Sequence, residues 1–318
     1  MTGLIEVMVL AGTMLAAVAW VATVFFSRAP AALSAPRVRT LQARLWLYAP
    51  VWVPAVVLVA AQVPGAWGML VGVGDHCLLS EGPHHHLCIF HPPHLSDEGL
   101  PRMLGVASWA VVAIVVLLVG RRVLLARRLA ATLIRSAHPS SLGDDIAILE
   151  QVEPIAVSVG VLRPKILLSS GLLNSVCPQT LRVILAHERA HVSRRDMGWA
   201  QLDRLMGSLL PGVVRRELLE SLSLACEQAC DAVAARSEGN VHVAAALTRI
   251  ARLGVCAPAV GLSVAASSLE ARVLHLLDAP SDPSWKMWPQ AAVALAVAFL
   301  GAGPLHALLE RVLAPILH

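Results

Sequence analysis

Two histidines and a glutamate stand together in VILAHERAHVSRRD, Val183 to Asp196. His187 and His191 are four residues apart, and Glu188 directly follows the first. Side chains four apart share one face of a helix, so both imidazoles can point at one ion. Glu188 projects beside them, within reach of a water on that ion. This is the donor pattern of a zinc hydrolase: two imidazoles hold Zn2+, the ion acidifies a water, and a carboxylate takes the proton.

A catalytic zinc needs a third protein ligand and an open position. The candidate lies in SLACEQACDAVAA, Ser223 to Ala235, where Glu227 and Asp231 again share a helical face. Glu227 could be the third ligand. Asp231 could accept a hydrogen bond from a ligand histidine and hold its ring. The alternative for both is a solvated helix face; the histidine pair one helical hairpin upstream favours ligation. Cys226 and Cys230 flank Glu227. They could bind metal, although small thiols packed between helices are the plainer reading. His242 and Arg272 are candidates to stabilise a transition state, each with a purely structural alternative. The single tyrosine, Tyr48, falls in an apolar run.

The elements that must position these groups can be read on either side of them. Arg121 to His138 reads as a helix, and HPSSLGDD as a turn. Val152 to Leu173 is β-branched and punctuated by Gly160 and Pro164, which predicts a hairpin of two short strands. An exposed edge of that hairpin could pair with an extended substrate. Pro178 suits the first turn of the helix that carries the motif, with an end expected near Arg194. Further helices are expected over about 197–210, 214–236, 241–253 and 267–277.

The rest of the chain is unlike a soluble enzyme. Of 318 residues, 57% are hydrophobic and 14% charged, against about 25% charged in soluble proteins. Four apolar runs approach the ~20 residues a membrane helix needs: Leu4 to Phe26, Leu45 to Val73, Met103 to Val119 and Met287 to Leu309. The first lacks a basic leader and reads as an uncut span. Arginines 28, 37, 39 and 44 follow the first run, and arginines 121, 122, 127, 128 and 135 follow the third. Positive charge stays inside, so both segments are expected to be cytoplasmic, with the N-terminus and the 72–102 loop outside. The net charge of +4 is mostly this flanking arginine and gives no reason to expect nucleic-acid binding.

The expected organisation is a mostly α membrane protein. Residues 1–120 form a membrane region with spans at about 4–26, 45–73 and 101–120 and an outer loop at 74–100. Residues 121–286 form a cytoplasmic zinc peptidase domain. Residues 287–318 form a fourth span and a short tail. The outer loop holds Cys77 and Cys88, which an oxidising compartment would join in a disulfide. It also holds His84, His85 and His86, which could bind Zn2+ or Cu2+ as a sensor or simply belong to a polar, pinned loop.

LAHERAHVSRRD followed by CEQACDAVA resembles the BlaR/MecR-type membrane zinc metallopeptidases, the antirepressor family of gluzincins. VGVLRPKILLSSGLL and LEARVLHLL are similar to theirs, as is the layout of three spans, a peptidase domain and a fourth span. The resemblance implies four transmembrane helices with an inserted α+β gluzincin-like domain. It implies zinc on His187, His191 and Glu227, with Glu188 as general base. It also implies a protein substrate in the cytoplasm, such as a winged-helix repressor, and a place in the bacterial inner membrane. Those receptors carry a penicillin-binding sensor after the fourth span. This chain stops shortly after it, so β-lactam sensing is not expected. HtpX-like and CAAX-processing membrane proteases share the motif and a downstream glutamate, but RRD and the ACD spacing favour the first family. A non-catalytic metal-binding sensor is the third alternative, and the intact Glu188 speaks against it. The lipid bilayer is an implied partner; substrate, signal and oligomeric state stay open.

Overall fold

A computed structural model describes residues 2–27, 36–70, 99–161, 163–253 and 266–277, with isolated positions 304, 308, 311 and 312. In chain order its elements are α1 (Thr2–Phe26), α2 (Pro36–Leu47), α3 (Ala49–Leu70), α4 (Gly99–Arg135), β1 (His138–Pro139), β2 (Ile146–Leu149), β3 (Ala156–Val159), β4 (Lys165–Ser169), α5 (Ser170–Ser175), α6 (Pro178–Arg194), α7 (Asp196–Gly207), α8 (Gly212–Glu238), α9 (Asn240–Arg252) and α10 (Ala266–Leu277). The chain divides into two compact units. One takes in residues 1–26, 48–118 and 283–318; the other takes in 27–47 and 119–282.

In the first unit α1 packs on α3 through Val7, Leu10, Ala11 and Ala61. Thr13 and Ser108 hydroxyls, 3.0 Å apart, tie α1 to α4 without an unpaired polar group between them. Apolar side chains such as Val18, Phe25, Val111 and Leu117 point outward, which suits a lipid surrounding and would be costly in water. Ile5–Phe26 and the helix Gly99–Arg135 are long and apolar enough to cross a membrane; the broken pair α2–α3 makes a third if it is one span. The outer loop, with Cys77, Cys88, His84, His85 and His86, lies outside the described residues, as does the run expected as a fourth span apart from positions 304 and 308.

The second unit is built on a four-stranded sheet in the order β1-β2-β4-β3. β2 runs parallel to β4, and β3 antiparallel to it. The expected hairpin is therefore half of the sheet. HPSSLGDD, expected as a turn, supplies β1 as well, and β2 follows it. The strand reading of Ser170 to Leu173 gives way to α5, which Ser169 caps by accepting from the Leu172 amide. Ile166, Leu167 and Leu168 of β4 are fully buried, as a central strand covered on both faces should be. Gly171 allows close passage of the chain: a Cβ there would lie 1.8 Å from the Val152 carbonyl oxygen.

α2 was not foreseen. Its Arg-rich stretch reads as a loop between spans, yet Pro36, Thr40, Ala43 and Leu47 form one buried stripe at helical spacing. α2 packs on α8 in this second unit. Arg44 grips Asp203 with Nη2 3.0 Å from Oδ2, and its guanidinium lies 4.7 Å above the Trp199 ring. The apolar run expected from Leu45 is thus divided: Leu45 to Leu47 belong to α2, and α3 starts at Ala49.

Candidate metal centre

α6 begins with Pro178 in its first turn, where a missing N–H costs nothing. It ends at Arg195, a left-handed residue with φ 56°. Arg195 also opens α7, so no spacer separates the two helices. α8 packs across α6, with the small residue Ala234 buried in one cluster with Val183 of α6. Small side chains let the helices approach closely enough for their polar groups to meet.

The meeting point is tight. His187 Nε2 lies 3.1 Å from His191 Nε2. Glu227 spans both, with Oε2 3.3 Å from His187 Nε2 and Oε1 3.5 Å from His191 Nε2. The opposite ring nitrogens face carboxylates: His187 Nδ1 is 2.9 Å from Asp231 Oδ1, and His191 Nδ1 is 3.0 Å from Asp196 Oδ2. Carboxylates on the far nitrogens fix the rings with Nε2 turned inward, as in metal sites generally. This donor set fits zinc: two Nε2 atoms and a carboxylate converge within 4.8 Å, leaving a fourth position for water or substrate.

The electrostatics agree. Burial alone would lower the His187 pKa, but Asp231 and Glu227 overcome it and raise it to about 9. His191 is likewise buried yet raised well above the ordinary value by Asp196, Cys230 and Glu227. Glu227 lies well below the ordinary carboxylate range, because both histidines and Arg272 outweigh its burial. A pocket that holds two imidazoles this close to carboxylates favours positive charge at its centre.

Glu188, on the next position of α6, is held separately. Ser158 of β3 places its Oγ 2.6 Å from Glu188 Oε2 and 3.2 Å from the Glu188 carbonyl. Arg272 on α10 divides its guanidinium between two carboxylates. Nε and Nη2 each lie 2.7 Å from an oxygen of Asp231, and Nη1 lies 3.0 Å from Glu227 Oε2. All three guanidinium nitrogens of Arg272 are thus engaged by carboxylates of the cluster. His242 is exposed, with Nδ1 2.8 Å from the Glu238 carbonyl at the start of α9, and no contact joins it to the cluster. Cys230 is buried, its Sγ 3.3 Å from His191 Nδ1, and burial pushes its thiol up to about 11.

Residues 125–254 match the model of Peptidase family M48. Peptidases of that family are zinc metallopeptidases, and the matched segment of this chain is similar to them. The M48 segment takes in both histidines, Glu188, Glu227 and Asp231, whereas Arg272 lies beyond its end. A search of the curated proteins finds no match.

Two members of the constellation were not singled out from sequence. Asp196 carried a readable signal, as the first acid after the helix that bears His191. Ser158 carried none, since thirty residues separate it from Glu188 and only the sheet brings it there.

Proposed function

We propose that this chain is a membrane-anchored zinc endopeptidase of the gluzincin type. What carries the reading is the convergence of His187, His191 and Glu227 on one point, with Glu188 held beside it by Ser158. The match to a metallopeptidase family and the apolar helices support it.

In this reading His187, His191 and Glu227 hold the ion, and Asp231 and Asp196 fix the two rings. Bound zinc supplies Lewis acidity, which makes water a nucleophile near neutral pH and polarises a carbonyl. Glu188 acts as general base. Ser158 donates to Oε2, which leaves Oε1 to take the proton from the attacking water and return it to the leaving amine nitrogen. The balance is the addition of water across one C–N bond of the substrate. Buried and already hydrogen-bonded, Glu188 needs little rearrangement to act.

The arginines that follow the first and third apolar runs favour a catalytic unit on the cytoplasmic side of the bacterial inner membrane. The substrate is then a cytoplasmic protein. The BlaR/MecR resemblance points to a transcriptional repressor cleaved in response to a signal.

The test uses Glu188→Gln in the full chain. It keeps zinc, measured by metal analysis of the purified protein, while cleavage falls by about a hundredfold or more. Persistent cleavage would overturn the hydrolase reading. Proteomes of cells with wild-type and Glu188→Gln protein then identify what is cut. A winged-helix repressor supports the signalling role; damaged membrane proteins would instead mark quality control of the HtpX type.

A further inference from the structure

Beside Ser158, whose hydroxyl holds Glu188, the second unit contains a cavity of about 720 Å3. One wall is the C-terminal arm of α4, with Ala126 and Ala130, and another is the start of α7, with Met197 and Leu202. The third is β3 and its continuation, Val157 through Val161.

Successive residues of a strand point to opposite faces. Val157, Ser158 and Val159 of β3 nevertheless all line this cavity, with Gly160 and Val161 just past the strand's end, so it reaches the strand's backbone edge rather than lying over one face alone. β3 is the outer strand of the sheet, and among the described residues no other strand pairs with that edge. Ser158, in the middle of this stretch, is the residue that holds Glu188. The cavity is mostly apolar. Its charged lining residues are Arg122, Arg127 and Arg195, and no acid is among them.

We propose that this cavity selects the substrate: an extended segment adds to β3 as a further strand, seats a large aliphatic or aromatic side chain between α4 and α7, and presents an acidic neighbour to the arginines. The inference rests on the peptidase reading and adds a substrate class to it. Backbone pairing supplies affinity, and the cavity supplies selectivity. The α4 arm continues a helix that is apolar enough to cross a membrane, so the selecting wall belongs to that same helix. An apolar cavity with cationic groups also suits an anionic lipid. The strand edge and the presence of Ser158, the partner of Glu188, in the lining favour a peptide.

The experiment uses zinc-loaded, full-length protein in phosphatidylcholine nanodiscs. Its probes are internally quenched peptides on a Ser-Gly-Ala framework. One position carries Ala, Leu or Phe, and its neighbour carries Asp or Lys. Leu or Phe should raise kcat/KM over Ala by about tenfold or more, the usual reach of an apolar pocket, and Asp should outperform Lys. Ala130→Trp fills the cavity and should reduce the Leu and Phe preference to about twofold, mainly through KM, with zinc content unchanged. Arg127→Glu, on the exposed rim, should reverse the Asp preference even if Ala130→Trp folds poorly. Fluorescence anisotropy on Glu188→Gln reads the same preferences as binding, without turnover. Selective binding without any cleavage by the wild type would support the pocket and count against the peptidase reading alone. Equal binding of Ala and Leu peptides would overturn the proposal. So would an unchanged preference in both cavity variants, with an anionic lipid seen by native mass spectrometry on the wild type and lost from Ala130→Trp.

Discussion

Arg272 shows how little freedom the centre leaves its donors. Its fork holds Asp231 and Glu227 together, so Arg272→Leu releases both the partner of His187 and the candidate third ligand. Loss of such a supporting group lowers metal affinity by about 10–100-fold. Competition with a fluorescent chelator measures this, and Arg272→Lys should recover only part, because an ammonium cannot fork. The same groups set a pH window for the metal-free protein. Burial would raise Asp231, but Arg272 and His187 hold it below the ordinary carboxylate value. Its contribution is present above the unfolded pKa and is lost as pH falls through the lower folded one. His187, raised to about 9, contributes below its unfolded value, and that contribution is lost as pH rises through about 9. Thermal stability of the metal-free protein should therefore decline at both ends; Asp231→Asn should flatten the acid limb, and calorimetry across pH checks it. Much of this was legible beforehand. His187 and His191, and Glu227 and Asp231, are recognisable because a four-residue spacing is a local rule of helices, and Glu188 because it stands beside the first histidine. Which nitrogen of Arg272 meets which oxygen is not a local matter, and from sequence it reads equally well as a donor to substrate.

The helices behind the centre were readable to within a few residues, since Pro178, Pro211 and Gly239 mark their ends. The sheet was readable only in its hairpin half. β2 pairs with a strand some twenty residues on, in parallel, and no turn signature announces such a pairing. α2 was hidden differently. Four arginines in and before it suggested a membrane-flanking loop, and its apolar stripe is narrow: Thr40, Ala43 and Leu47. Leu47 is 2% exposed. Leu47→Ala should destabilise the second unit by about 2–4 kcal/mol, the usual result of a buried leucine truncation. Thermal denaturation of the full chain reads it, and an unchanged transition would mean that α2 is only loosely docked.

Two units in one chain should also respond separately to metal. Zinc that binds only the folded peptidase unit stabilises it by mass action, by about 2.7 kcal/mol at free zinc a hundred times Kd. Chelation should therefore lower one calorimetric transition and leave that of the α1–α3 pair in place. A single transition that shifts as a whole would show that the units melt together. The division has a further consequence during synthesis. α2 leaves the ribosome early, but α8, on which it packs, and α10, which carries Arg272, emerge only after the whole sheet and α6. Closing so long an interval is entropically slow to begin and favourable only once the late helices exist. His187 and His191 are translated well before Glu227 and its clamp. The nascent chain thus carries two donors before the third and its clamp exist, and the assembled centre is a product of the later stage of translation.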